Sequence, residues 1–269
     1  QQVDNQSSGV INAPQGKVAF ASGSRDTLHL DHGSLLGVQV QGEQVSTLLQ
    51  NGGLIQADGG VIQLTARGKE MLMDTVIDNT GILQARGLSE KNGVIYLDGG
   101  SEGVVRLQGV VDARSQNGRG GSVIVQGEHI HLVAGSKIDA RGAEGGGKVL
   151  IGGSWQGKNN AIKSSRAVVM DKGAVIDVSA LGQGAGGTAV LWSESYTGFY
   201  GDIHARGGLQ SGNGGQVETS SKRNLQAFGH VDASATAGSN GSWLLDPAEV
   251  NIVGSGAQSG SSVQTGDIP

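Results

Sequence analysis

The 269-residue chain has no cysteine, only 3 prolines and 3% aromatic residues. Without cysteine it has no disulfides, no zinc–thiolate sites and no thiol nucleophile. Scarce proline, and glycine that does not fall at every third position, exclude a collagen-like chain. There is no lysine or arginine run and the formal net charge is −5, which disfavours a nucleic-acid or anionic-membrane surface. No segment reaches the ~20 consecutive apolar residues of a membrane span. The opening QQVDNQSSG lacks the basic and apolar regions of a signal peptide, so any export signal lies elsewhere.

What is abundant is glycine, at 49 residues, alongside 36% apolar residues. That apolar share exceeds what a disordered chain carries, so the glycines punctuate something regular. The pattern Gly-x-(Ile/Val)-x-Ala, a glycine-rich turn, then Gly-x-Val-x-Leu occurs eight times. Copies start at Gly9, Gly53, Gly81, Gly109, Ser136, Ala174, Gly201 and Gly229. Five of the seven intervals are 27 or 28 residues; the other two, 44 and 38, mark insertions.

Each copy holds two runs of alternating apolar and polar residues, the period of a half-buried strand. A third run follows, as in TLHL, VVRL, HIHLV and AVVM. Three strands per fixed repeat, with no helical period, predict a β-solenoid. The expected fold is all-β: a right-handed parallel β-helix of about eight three-strand coils, a rod of roughly 35 to 40 Å at the usual strand spacing. Residues 1–253 form the coil, with insertions at 24–52 and 152–173, and 254–269 form a Gly/Ser-rich linker or tail. LLGVQVQGEQV in the first insertion suggests an extra hairpin, and the second reads as a loop. Neither end carries an evident cap, so the coil is expected to continue in both directions.

Stacking predicts ladders. Inward in the first strand are Ile11, Ile55, Leu83, Val111, Ile138, Ile176, Ile203 and Val231. Inward in the second are Val18, Ile62, Ile95, Val123, Val149, Ala189, Val217 and Trp243. Glycines between these strands are expected to supply the positive φ of sharp corners.

GVINAPQGKVAFASG, GLIQADGGVIQLTA, VIDVSALGQGAGGTAVLWSE, GDIHARGGLQSGNGGQVETSS and HVDASATAGSNGSWLLDPAEVNIV resemble the filamentous-haemagglutinin-type exoproteins of two-partner secretion. Together these stretches span most of residues 9–253. The resemblance implies a secreted protein at the surface or in the extracellular matrix of a Gram-negative bacterium. It also implies an outer-membrane transporter as partner and a role in adhesion or biofilm formation. The Asn-Pro-Asn signatures of that family's N-terminal secretion domain are absent here, which places the segment at or after the end of that domain.

Several clusters have the right residue types for chemistry. Asn12, Gln56, Gln84, Asp112, Asp139, Asp177, His204 and Asp232 form the outward row of the first strand. Carboxylates on neighbouring coils, about 5 Å apart, suit a divalent cation or acid catalysis on polysaccharide. Arg86, Arg114, Arg141 and Arg206 occupy the next outward position, so the row reads as a solvated, self-neutralised ladder worth about 0–1 kcal/mol per pair. His129 and His131 share a face but lack a third ligand, His29 being about three coils, or roughly 14 Å, away.

Tyr96, Ile124, Leu150 and Val190, with Trp192 beyond, make an outward apolar stripe, for which the insertion carrying Trp155 is the expected cover. Trp155, Trp192, Tyr196, Phe199 and Tyr200 are the candidate ligand-binding residues, for a polysaccharide or host glycan. No catalytic residue, metal or cofactor is expected. The expected role is a structural and adhesive module, whose candidate partners are polysaccharide, host glycan or another copy of itself. The alternatives are a β-helix enzyme on polysaccharide and a protein capturing haem or a haem carrier.

Overall fold

Short strands with one apolar face bury it only by stacking on like strands. In the computed structural model, residues 2–23, 25–31, 34–41, 48–67, 75–88, 92–246 and 263–264 are described. The strands Val10–Asn12, Leu54–Gln56, Ile82–Gln84, Val110–Asp112, Lys137–Asp139, Val175–Asp177, Asp202–His204 and His230–Asp232 make one eight-stranded parallel sheet. Its register aligns all eight inward residues, Ile11 to Val231, without a slip.

A second series runs from Lys17–Ser22 to Ser242–Asp246 and aligns Val18 through Trp243 in the same way. A third runs from Gln2–Asn5 through Leu48–Asn51, Thr75–Asn79, Val104–Leu107 and His129–Leu132 to Ser165–Met170 and on to Asn224–Ala227. The three faces enclose one aliphatic core, from Val18 to Val217. The fold is a parallel β-helix of eight coils.

The strand Thr188–Phe199 is 12 residues long and passes from the second face to the third without a break. Its bend buries hydroxyls: Ser193 Oγ lies 2.8 Å from Thr197 Oγ1, and Thr197 donates to the Ser220 carbonyl.

One expectation needs correction. Thr27–Leu30 does not belong to the third face. It lies within Arg25–Asp31, which pairs antiparallel with Ser34–Gln41 as a hairpin outside the coil, and Leu48–Asn51 takes the third-face place. A polar–apolar run carries no mark of which sheet it joins.

The expected positive φ occurs at Gly59, Gly145, Gly184 and Gly212, all between a first and a second strand, but not at the glycine immediately before each second strand. That glycine is required because coils approach closely: a Cβ on Gly187 would lie 2.0 Å from the Gly147 carbonyl oxygen, and one on Gly215 2.1 Å from that of Gly187. The expected linker at 254–269 lies outside the described residues, apart from Val263–Gln264, which pair antiparallel with Asn224 and Leu225.

Candidate functional site

The first face carries a row of carboxylates that register alone brings together: Asp112 aligns with Asp139, and Asp139 with Asp177. These were expected to be solvated. They are buried instead, with 3%, 2% and 6% exposure. A short aspartate on a flat sheet lies beneath the longer guanidinium two residues on, and each arginine is long enough to reach the next coil. Arg114 donates to Asp112 from Nε at 3.0 Å and Nη2 at 2.9 Å, and its Nε lies 3.7 Å from Asp139. Arg141 repeats this, with 2.9 and 2.7 Å to Asp139 and 3.6 Å to Asp177.

Burial alone would raise the Asp112 carboxyl, but hydrogen bonds from Arg114 and Arg86 outweigh it and hold the group below its usual value. The Arg114 and Arg141 guanidiniums are raised by the hydrogen bonds they give to Asp112 and Asp139. Asp112 and Asp139 are therefore sealed under arginine, with no open face for a substrate. Ser179 replaces arginine beside Asp177, donating its backbone N–H to that carboxylate at 3.0 Å.

On the second face, register aligns Tyr96, Ile124, Leu150 and Val190 in one outward row. The chain leaves the coil after Ile151 and returns at Ser165, whose N–H donates to the Gly152 carbonyl at 2.8 Å. The excursion 152–164 contains the single 3₁₀ turn Trp155–Gly157 and lies on the stripe. Leu150, Val190 and Trp192 become buried, with Trp155, Ile162 and Ile124 packed against them. The cover is thus intramolecular.

The close fit follows from sequence: a Cβ on Gly153 would lie 2.9 Å from Trp192 Cε3, so only glycine lets the backbone rest on that indole. Gln126 accepts the Lys163 N–H at 3.1 Å, and the Lys163 ammonium donates to the Gly100 carbonyl.

The same outward row continues from Val190 to Glu218, a residue that reading the sequence for apolar stripes passes over. Glu218 is fully buried. Its Oε2 accepts the Gln156 N–H at 2.8 Å, and its Oε1 has no hydrogen-bond partner among the described residues. Burial pushes its carboxyl above the usual value, against the Gln156 hydrogen bond. Its signal in the sequence is positional, an acid at the register point where four coils carry a large side chain.

The five aromatic candidates do not form one patch. Trp192 lies under the excursion, with the Lys222 ammonium 5.3 Å from its ring centroid. Phe199 belongs to the central core. Tyr196 and Tyr200 share a hydroxyl contact of 2.9 Å on the third face, and Tyr200 stacks on Phe228 at 6.1 Å. Burial and the Tyr200 hydroxyl push the Tyr196 phenol up to about 12. Trp155 alone is half-buried beside a cavity of about 430 Å³, which is also lined by Lys148, Leu150, Lys158, Thr188 and Gln216.

His129 and His131 line a shallow hollow of about 370 Å³ with Val104, Ala167 and Val169. His131 pairs with Asp171 at 2.9 Å, and burial lowers His129 below its usual value. The His29 side chain lies outside what the structure describes.

The crystal structure of the HMW1 secretion domain from Haemophilus influenzae is similar over 91% of this chain and 60% of that one, with a TM-score of 0.75 and 30% sequence identity. The chain is a β-helix similar to the secretion domain of a two-partner-secretion exoprotein. Such an exoprotein is secreted by a Gram-negative bacterium. The likeness falls on a secretion domain itself. A shorter stretch of 81 residues is 35% identical to a heme/hemopexin-binding protein of Haemophilus influenzae, covering 30% of this chain and 8% of that protein. No family model matches the chain. The segment thus spans 60% of the solved secretion domain and a small part of the longer relative.

Proposed function

We propose that this exoprotein segment is a structural and adhesive module of a filamentous surface adhesin. An outer-membrane two-partner-secretion transporter delivers it, and it acts at the cell surface or in the surrounding matrix. Its attachment is to polysaccharide, to host glycan or to another copy of itself.

The observation that carries the reading is the sealing of Asp112 and Asp139. Asp112 and Asp139, the residues a β-helix hydrolase or lyase would present to a sugar chain, are instead committed to arginines of their own and adjacent coils. Removing them from solvent favours a role in holding coils together over acid–base chemistry. In-register stacking of eight coils gives length, which suits a projecting rod.

The test is incubation of the purified chain with a panel of bacterial and host polysaccharides, following protein retention and new reducing or unsaturated sugar ends together. Retention without new ends is expected. Release of sugar ends would replace this reading with an enzyme.

A second reading, capture of haem or a haem carrier, is favoured by the 81-residue match to the heme/hemopexin-binding protein and by the apolar hollow holding His129. Titration with haem, followed by the Soret band, tests it. A shift lost in His129→Ala supports it, and an unchanged spectrum sinks it.

A further inference from the structure

We propose that the cavity beside the 152–164 excursion binds a carboxylated sugar residue of an acidic polysaccharide. This rests on the adhesive reading and names the ligand class of one site.

The cavity, about 430 Å³, falls within the usual range of small-molecule sites, roughly 300–1,000 Å³. Two elements build it. The coil contributes Lys148, Thr188 and Gln216, which register stacks on three consecutive coils, about 4.8 Å apart. The excursion contributes Trp155 and Lys158. Leu150, nearly buried, supplies apolar surface on the coil side.

The chemistry of these groups selects the ligand. A half-buried indole offers a face to the C–H side of a sugar ring. Thr188 and Gln216 offer donors and acceptors to hydroxyls. Two exposed lysines carry positive charge to the same cavity, and among the described residues no acidic side chain lines it. The Lys148 ammonium makes no hydrogen bond or ion pair among the described residues, while that of Lys158 donates to Gln156 Oε1 at 2.6 Å. A neutral sugar leaves the Lys148 charge unused. A free inorganic anion leaves the indole and Leu150 unused. A sugar carboxylate uses all of them, with charge-assisted hydrogen bonds to lysine.

The test is calorimetric titration of the full chain with trigalacturonate, and with neutral galactotriose, at low and at physiological salt. Lys148→Gln is the first variant, because that exposed side chain holds nothing else in place. Trp155→Phe is the second, with thermal melting run on both to confirm folding. Saturable binding of trigalacturonate at about 1 mM or tighter is expected, about tenfold weaker for galactotriose and for Lys148→Gln, and weaker with added salt.

Absence of binding, equal affinity for the neutral trimer, or full affinity in folded Lys148→Gln would overturn the assignment. Should the chain be retained on a polysaccharide and Lys148→Gln leave that retention unchanged, the adhesive reading stands and this site is refuted.

Discussion

Asp112 joins two coils: its carboxylate receives Arg114 from its own coil at 2.9 Å and Arg86 from the coil before at 2.8 Å. Replacing it with alanine leaves two guanidiniums without their acceptor, and a loss of roughly 1–3 kcal/mol of unfolding free energy is expected. The sign with pH follows from the depressed carboxyl. Its stabilisation is complete above the unfolded value near pH 4 and lost as pH falls through the lower folded value. Urea titrations of wild type and Asp112→Ala between pH 2 and 7 should therefore converge at the acid end; a constant gap would contradict the linkage.

Gly157 sits at φ +63° with its missing Cβ 2.8 Å from Trp192 Cζ2. Gly157→Ala combines an unfavourable backbone region with a clash against a packed ring. It should cost roughly 1–3 kcal/mol and expose Trp192, seen as a red shift in tryptophan emission. An unshifted spectrum with unchanged stability would show that the excursion does not pack on the indole.

Glu218 behaves in the opposite sense to Asp112. Its folded carboxyl is raised by burial, beside the favourable Lys158 charge and the unfavourable Asp246 charge. Stability is thus fullest below the unfolded value, near pH 4.5, and is lost as pH rises through the folded value. Glu218→Gln keeps an acceptor for the Gln156 N–H and removes the titration. Its melting temperature should exceed wild type at pH 8 and lose that advantage below pH 4. A difference independent of pH would rule out ionisation of Glu218 as the cause.

Asn5, Asn51 and Asn79 form a buried amide ladder, each step an Nδ2 donor to the next Oδ1 at 2.8 Å. The same register position holds Leu107 and Leu132 on later coils. Asn51→Leu strands both neighbours and should cost about 2 kcal/mol or more, whereas replacing all three by leucine should cost less than the single change. Additive losses across the series, measured by chemical denaturation, would argue against a coupled ladder.

Much of the fold was legible because a period of 27 to 28 residues fixes which side chains stack, and Ile11 to Val231 align as the repeat requires. Depth within a face was not legible. Alternation marks Asp139 as pointing away from the core, but whether a guanidinium covers it depends on the reach of Arg141 over the sheet. Alternation likewise places Glu218 outward, and only the path of the excursion buries it. The cover over Leu150 and Val190 was legible, because an apolar stripe beside an insertion carrying a tryptophan has an obvious partner. The fate of TLHL was not, since a strand's sequence does not name its neighbour.

The most direct measurement is a comparison of wild type with Asp139→Asn, recording unfolding free energy, retention on polysaccharide and release of new sugar ends on the same preparations. A structural, adhesive rod predicts a stability loss of roughly 1–3 kcal/mol, unchanged retention and no new sugar ends from either protein. New ends released by wild type and abolished in a stably folded Asp139→Asn would contradict it.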